Sequence, residues 1–112
     1  MAKPREKDEH WDGALRELRA ICGDLPDVVE TLSYGNPAFK AGRKTFAVLD
    51  IYRGASCVWL LCGPERREAL LSEPGYFPAP YDRAGAAVCR AAADVDWPAF
   101  AALVRETYER AL

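Results

Sequence analysis

The sequence predicts an α+β two-layer sandwich, an antiparallel sheet with helices on one face. Three observations carry that expectation. Apolar residues recur at helical spacing near both ends of the chain, from Trp11 to Cys22 and from Trp97 to Ala111. Between them the period changes to two, and the connecting turns are too short to hold a crossover, so neighbouring strands must be antiparallel. At 112 residues there is room for one core, and the whole of 1–112 reads as one domain.

Residues 1–7 are polar and mixed in sign and read as a flexible lead-in. From Asp8 a helix begins, with Trp11, Ala14, Leu15, Leu18, Ile21 and Cys22 on one stripe and Gly23 as its stop. Asp24, Leu25 and Pro26 resemble the opening of a second, short helix that buries Val28, Val29 and Leu32. Ser33 to Pro37 is dense in turn formers and ends it. Pro37 to Lys40 then forms a short strand, residues 41–44 a turn, and Thr45 to Tyr52 a strand of clear alternation. After a turn at Arg53-Gly54-Ala55, Ser56 to Cys62 is apolar on both faces, as a strand covered on both sides, or one whose second face is a binding surface, would be. Gly63-Pro64 stops it and starts a helix to Leu71. Glu73 to Arg83 holds three prolines and three aromatics and predicts an ordered loop whose aromatics pack down. Ala86 to Ala92 predicts a last strand. Asp96 as cap and Pro98 in the first turn start a terminal helix with Trp97, Phe100, Val104, Tyr108 and Ala111 on one face.

Half the residues are hydrophobic and 29% are charged, which excludes a disordered chain. No apolar run is long enough to span a bilayer, and the charged N-terminus is unlike a signal peptide, so a soluble cytoplasmic protein with no membrane partner is expected. The net charge of −2 gives no whole-molecule attraction to polyanions, and only a local basic patch would supply one. Cys22, Cys57, Cys62 and Cys89 have no metal-ligand spacing and read as free, buried thiols in a reducing compartment. Strand alternation turns Cys57 and Cys62 to opposite faces.

Catalytic chemistry finds little support. The one histidine, His10, lies in the polar lead-in with nothing to hold it beside a nucleophile. Neither a Walker sequence nor a G-x-G-x-x-G follows a strand. Asp94 and Asp96 are better explained as helix-start residues than as an acid/base pair, and the cluster Asp8, Glu9, Asp12 is diluted by Lys7, Arg16 and Arg19. The expectation is a non-enzyme with no cofactor and no metal.

The turns carry what remains. Arg43 and Lys44 occupy one hairpin tip with Lys40 beside it, Arg53 the next, and Arg83 the turn before the last strand. Cationic tips beside a sheet face suit a phosphate backbone, with Tyr34, Trp59 and Tyr81 as stacking or ligand-contacting candidates.

Leu25-Pro26, Ser33-Tyr34-Gly35-Asn36-Pro37-Ala38-Phe39, Gly42-Arg43-Lys44-Thr45-Phe46-Ala47, and Glu73-Pro74-Gly75-Tyr76-Phe77 with Tyr81 and Gly85 resemble the MmcQ/YjbR family of small bacterial proteins. The resemblance runs from about the second helix to the C-terminus, where Thr107-Tyr108 stands in place of a frequent Ser-Tyr. It implies a CyaY/frataxin-like fold, two helices against an antiparallel sheet, and a DNA-binding function of double-wing type. Many relatives carry a Trp just after the glycine that begins the last strand, where this chain has Ala86 and Ala87. An iron-chaperone role, which the fold also suggests, is opposed by the mixed charge of the first helix. The expected function is therefore weak, sequence-independent DNA binding through Lys40, Arg43, Lys44, Arg53 and Arg83. The alternative is a small-ligand or protein-interaction domain using the open sheet face and the aromatic loop Tyr76 to Tyr81.

Overall fold

The computed structural model describes residues 7–112. The expected lead-in therefore lies almost wholly outside the described residues. The order is α1 (Trp11–Gly23), β1 (Val28–Ser33), β2 (Asn36–Ala41), β3 (Lys44–Tyr52), β4 (Ala55–Leu60), α2 (Pro64–Leu71), β5 (Tyr76–Pro78), β6 (Val88–Ala91), a 3-10 turn at Ala92–Asp94, and α3 (Trp97–Ala111). The strands form one sheet in the order β1-β2-β3-β4-β6-β5, every neighbour antiparallel. This is the predicted α+β sandwich.

All three helices lie on one face. Trp11 and Leu18 of α1, Leu70 of α2, and Phe100 and Val104 of α3 share one buried cluster with Phe39, Phe46, Leu49, Val58 and Leu60 of the sheet. A bulge where β2 meets β3 shifts the register between Phe39 and Lys40, which lets Phe46 and Ala47 both reach this core. Phe46 meets Tyr108 edge to face at 5.6 Å, and the Tyr108 hydroxyl donates to the Pro26 carbonyl at 2.7 Å. That bond ties the end of α3 to the segment leading into β1.

The expected second helix is a strand. Val28, Val29 and Thr31 are β-branched, and a two-residue turn lets β1 pair with β2 along its whole length, from Val28↔Ala41 to Ser33↔Asn36. Asp27 has φ 59°, which no helix start tolerates. Consequently Val29 and Leu32 are 58% and 69% exposed rather than buried. The Glu73–Arg83 loop also contains an element that was not expected: β5, three residues long, at the sheet edge where Pro78 is tolerated. Asp96 stands at the N-cap of α3, but its side chain accepts no capping hydrogen bond.

The second sheet face is not simply open. Cys57, Cys89, Ala79 and Ala87 form a smaller cluster with Tyr52, Trp59, Leu61 and Phe77, so the segment around β5 folds over the β4–β6 half of this face. That explains why β4 is apolar on both sides. All four cysteines are buried free thiols, with Cys62 in the main core and Cys57 in the smaller cluster.

Candidate nucleic-acid interface

Three tight turns set where the cations go. Tyr34-Gly35 and Arg53-Gly54 each have both residues at positive φ (51° and 81°, 53° and 80°), the pattern of a type I′ hairpin turn. Between β2 and β3 only Gly42 is positive (62°), which fits a type II′ turn with Arg43 in second place. Consecutive hairpins necessarily turn at opposite ends of a sheet. Arg43 and Lys44 therefore lie at one end and Arg53 at the other, separated by the nine residues of β3, roughly 30 Å.

This topology does not bring all five candidate cations to one edge of the sheet. Lys40 faces Thr45 near the end of β2, close to Arg43 and Lys44. Arg83 lies in the loop between β5 and β6, at the same end but across the sheet. Arg53 instead covers the Tyr52 ring at 5.1 Å, and Tyr52 stacks on Phe77 at 5.9 Å. Among the described residues, Lys40, Arg43, Lys44 and Arg83 have no ion-pair partner, whereas Arg19, Arg66 and Arg67 pair with Glu30, Glu106 and Asp82.

The loop carrying Arg83 is pinned from within. Asp82 accepts from the Ala87 N–H at 2.7 Å and lies 3.7 Å from Arg67, whose Nε donates to the Ala87 carbonyl at 3.1 Å. The Gly63 N–H donates to the Ala86 carbonyl at 2.8 Å. With Asp82 held inward, its neighbours Tyr81 and Arg83 are exposed; Tyr81 is 97% exposed at φ 61°. Tyr34 is 98% exposed but at the opposite end, beside Gly35. Trp59 packs in the smaller cluster with its Nε1 buried and unpartnered, so it is no free stacking platform.

Sequence reasoning missed Arg110. The last turn of α3 brings its guanidinium against Gly63, where an added Cβ would overlap Arg110 Nε. No local pattern links residues 63 and 110, and only the docking of α3 across the sheet puts this cation at the same end as Arg43. Arg110 and Arg66 line a shallow cavity of about 380 Å³ that also holds the carboxylates of Glu65 and Glu106, the latter paired with Arg66.

Burial pushes the Cys22 thiol up to about 12 and raises Cys62. The hydrogen bond with Cys57, then burial, raises Cys89. Thiols held protonated are poor nucleophiles. His10 Nε2 is 3.4 Å from Glu9, and the His10 backbone N–H donates to Asp8 Oδ1. Among the described residues no three His, Cys, Asp or Glu side chains are grouped as a metal site, and no helix is long and apolar enough to cross a membrane.

No curated protein matches the chain. Two solved structures share the fold. One is a protein from Pseudomonas syringae, 13% identical, with a TM-score of 0.71 over 87% of this chain and 97% of that one. The other is protein DR2400 of Deinococcus radiodurans, described as a DUF419 domain, 24% identical, with a TM-score of 0.70 over 96% of this chain and 80% of that one. The YjbR family model matches residues 23–110, which take in every strand, α2 and nearly all of α3, and by that match the chain belongs to the YjbR family.

Proposed function

We propose that this domain is a non-enzymatic DNA-binding module that contacts the phosphate backbone through one end of its sheet. The observation that supports it is that Lys40, Arg43 and Lys44, and Arg83 across the sheet from them, lie at one end of the sheet, unpaired among the described residues, with the exposed ring of Tyr81 in the same loop as Arg83. Arg110 joins them and Arg53 drops out. Since among the described residues no recognition helix offers base-reading side chains beside these cations, affinity is modest and largely independent of sequence. The buried free thiols suit a reducing compartment, and the bacterial cytoplasm is the proposed location.

Fluorescence anisotropy with a labelled duplex of arbitrary sequence tests this reading. About four neutralised phosphates give a log-log salt slope of roughly −3 to −4. The double reversal Arg43→Glu/Lys44→Glu weakens binding without lowering thermal stability, because exposed turn side chains contribute little to folding. Arg53→Glu, at the far end, leaves binding nearly unchanged. Absence of binding at low salt, or equal sensitivity to Arg53→Glu, refutes the proposal.

One observation favours a second reading, a small-ligand site. A groove of about 450 Å³ between α2, β5 and α3 has an apolar floor of Leu70, Phe100 and Leu103 under a rim that includes Glu73, Arg90 and Asp96, within the size range of ligand pockets. This groove, and not the covered sheet face around Trp59, is where that reading now rests.

A further inference from the structure

β1 is an edge strand without the usual protection. Among the described residues it has no partner on its outer side, its six residues contain no Lys, no Pro and no bulge, and Val29 and Leu32 are largely exposed. The opposite edge is different: β5 has three residues and ends in Pro78. An unpaired strand of this length offers a row of backbone donors and acceptors to any extended chain.

Which groups it offers follows from the turn. A two-residue I′ turn closes a hydrogen-bonded pair, here Ser33↔Asn36, and antiparallel pairs alternate from there. Thr31↔Ala38 and Val29↔Lys40 are thus bonded within the hairpin, and the N–H and C=O of Val28, Glu30 and Leu32 point outward. Among the described residues no other backbone group pairs with them.

We propose that this edge pairs with the same edge of a second copy of the chain, antiparallel about a two-fold axis at Glu30. The strand is self-complementary in that register. Val28 faces the partner subunit's Leu32, and Glu30 faces the partner subunit's Glu30, so the outward N–H and C=O groups meet each other. On the other face Val29 lies opposite the partner subunit's Thr31, a β-branched pair in the closer, non-bonded position. Every exposed apolar side chain of the strand gains an apolar or β-branched neighbour.

The one like-charge contact is already compensated. Arg19 of α1 holds Glu30 through two bonds of 2.8 Å, so two ion pairs meet at the axis instead of two bare carboxylates. Because the axis is normal to the sheet, the helices of both copies stay on the same face and one continuous sheet results. The cationic ends point in opposite directions, so dimer formation and DNA binding are separable. One strand per copy is a small contact by the standard of stable interfaces, which sets the dissociation constant in the micromolar range or weaker.

Sedimentation of the full chain from micromolar to millimolar concentration tests the pairing. The wild type shifts from monomer to dimer, while Val29→Lys/Leu32→Lys dimerises at least about a hundredfold more weakly with an unchanged thermal midpoint. Hydrogen exchange locates the contact: the Glu30 and Leu32 amides slow as concentration rises, and the Thr31 amide, bonded within the hairpin, does not. Should the lysine variant fail to fold, Glu30→Pro removes one outward N–H while leaving the hairpin bonds intact, and it also weakens the dimer. A wild type that stays monomeric throughout, or a dimer that survives these variants, overturns the proposal.

Discussion

Replacing Tyr34 with Asn should make the protein more stable while removing an exposed aromatic ring. Tyr34 occupies the first central position of the β1–β2 turn at φ 51°, with Gly35 at φ 81°. A side chain in the left-handed region costs about 1 to 2 kcal/mol, and Asn bears less of that cost because its short amide hydrogen-bonds locally. The Tyr34 ring is 98% exposed, so its removal forfeits almost no packing. The net expectation is a gain of about 0.5 to 1 kcal/mol. For a domain of this size that raises the thermal midpoint by roughly 2 to 5 °C. Urea titration in dilute solution should show a higher midpoint at unchanged slope. Tyr34→Ala is the control: it removes the ring without the tolerance of Asn and should fall within about 0.5 kcal/mol of wild type. If Tyr34→Asn is destabilising, either the turn is not of the I′ type or the ring makes a contact within the chain, and the backbone argument fails.

Phe100→Ala should cost about 3 to 5 kcal/mol in thermal or urea unfolding, since Phe100 is 4% exposed and meets Trp97 edge to face at 5.6 Å. Asp8→Asn should destabilise by about 1 kcal/mol at neutral pH, discounted for solvent screening, because Asp8 accepts from the Ser56 N–H, the Ser56 hydroxyl and the His10 N–H. Burial pushes the Asp8 carboxyl up, but these bonds outweigh it and its pKa lies below the ordinary 3.8. The stability it contributes is therefore present above that ordinary value and lost as pH falls through the lower, native one, so the wild-type advantage should vanish in strong acid. Thiol titration without reductant should find four reactive groups in denaturant and slow reaction in the native protein, as all four cysteines are buried.

Much of the fold is legible because periodicity and punctuation agree. Alternation from Thr45 to Tyr52 marks β3, Gly63-Pro64 separates β4 from α2, and the stripe from Trp97 to Ala111 marks α3. Each of these signals is local, so a linear reading captures it. For Val28 to Ser33 local signals conflict: Asp24 and Pro26 suit a helix start, but β-branched residues and a Tyr-Gly turn suit a hairpin. Pairing with β2 decides for the strand, and the pairing energy lies in residues 36–41 rather than in the segment itself. The same limit applies to the site. That turns hold Arg43, Lys44, Arg53 and Arg83 is visible in the sequence, since glycines mark the turns. Which end each turn occupies depends on the count and order of strands, and misreading β1 hides that. Only the assembled sheet sends Arg53 away from Arg43, brings Arg110 to Gly63, covers Trp59 with the β5 segment and leaves β1 as a free edge. These are relations between residues far apart in the chain, and it is the packing of one layer on another that fixes them.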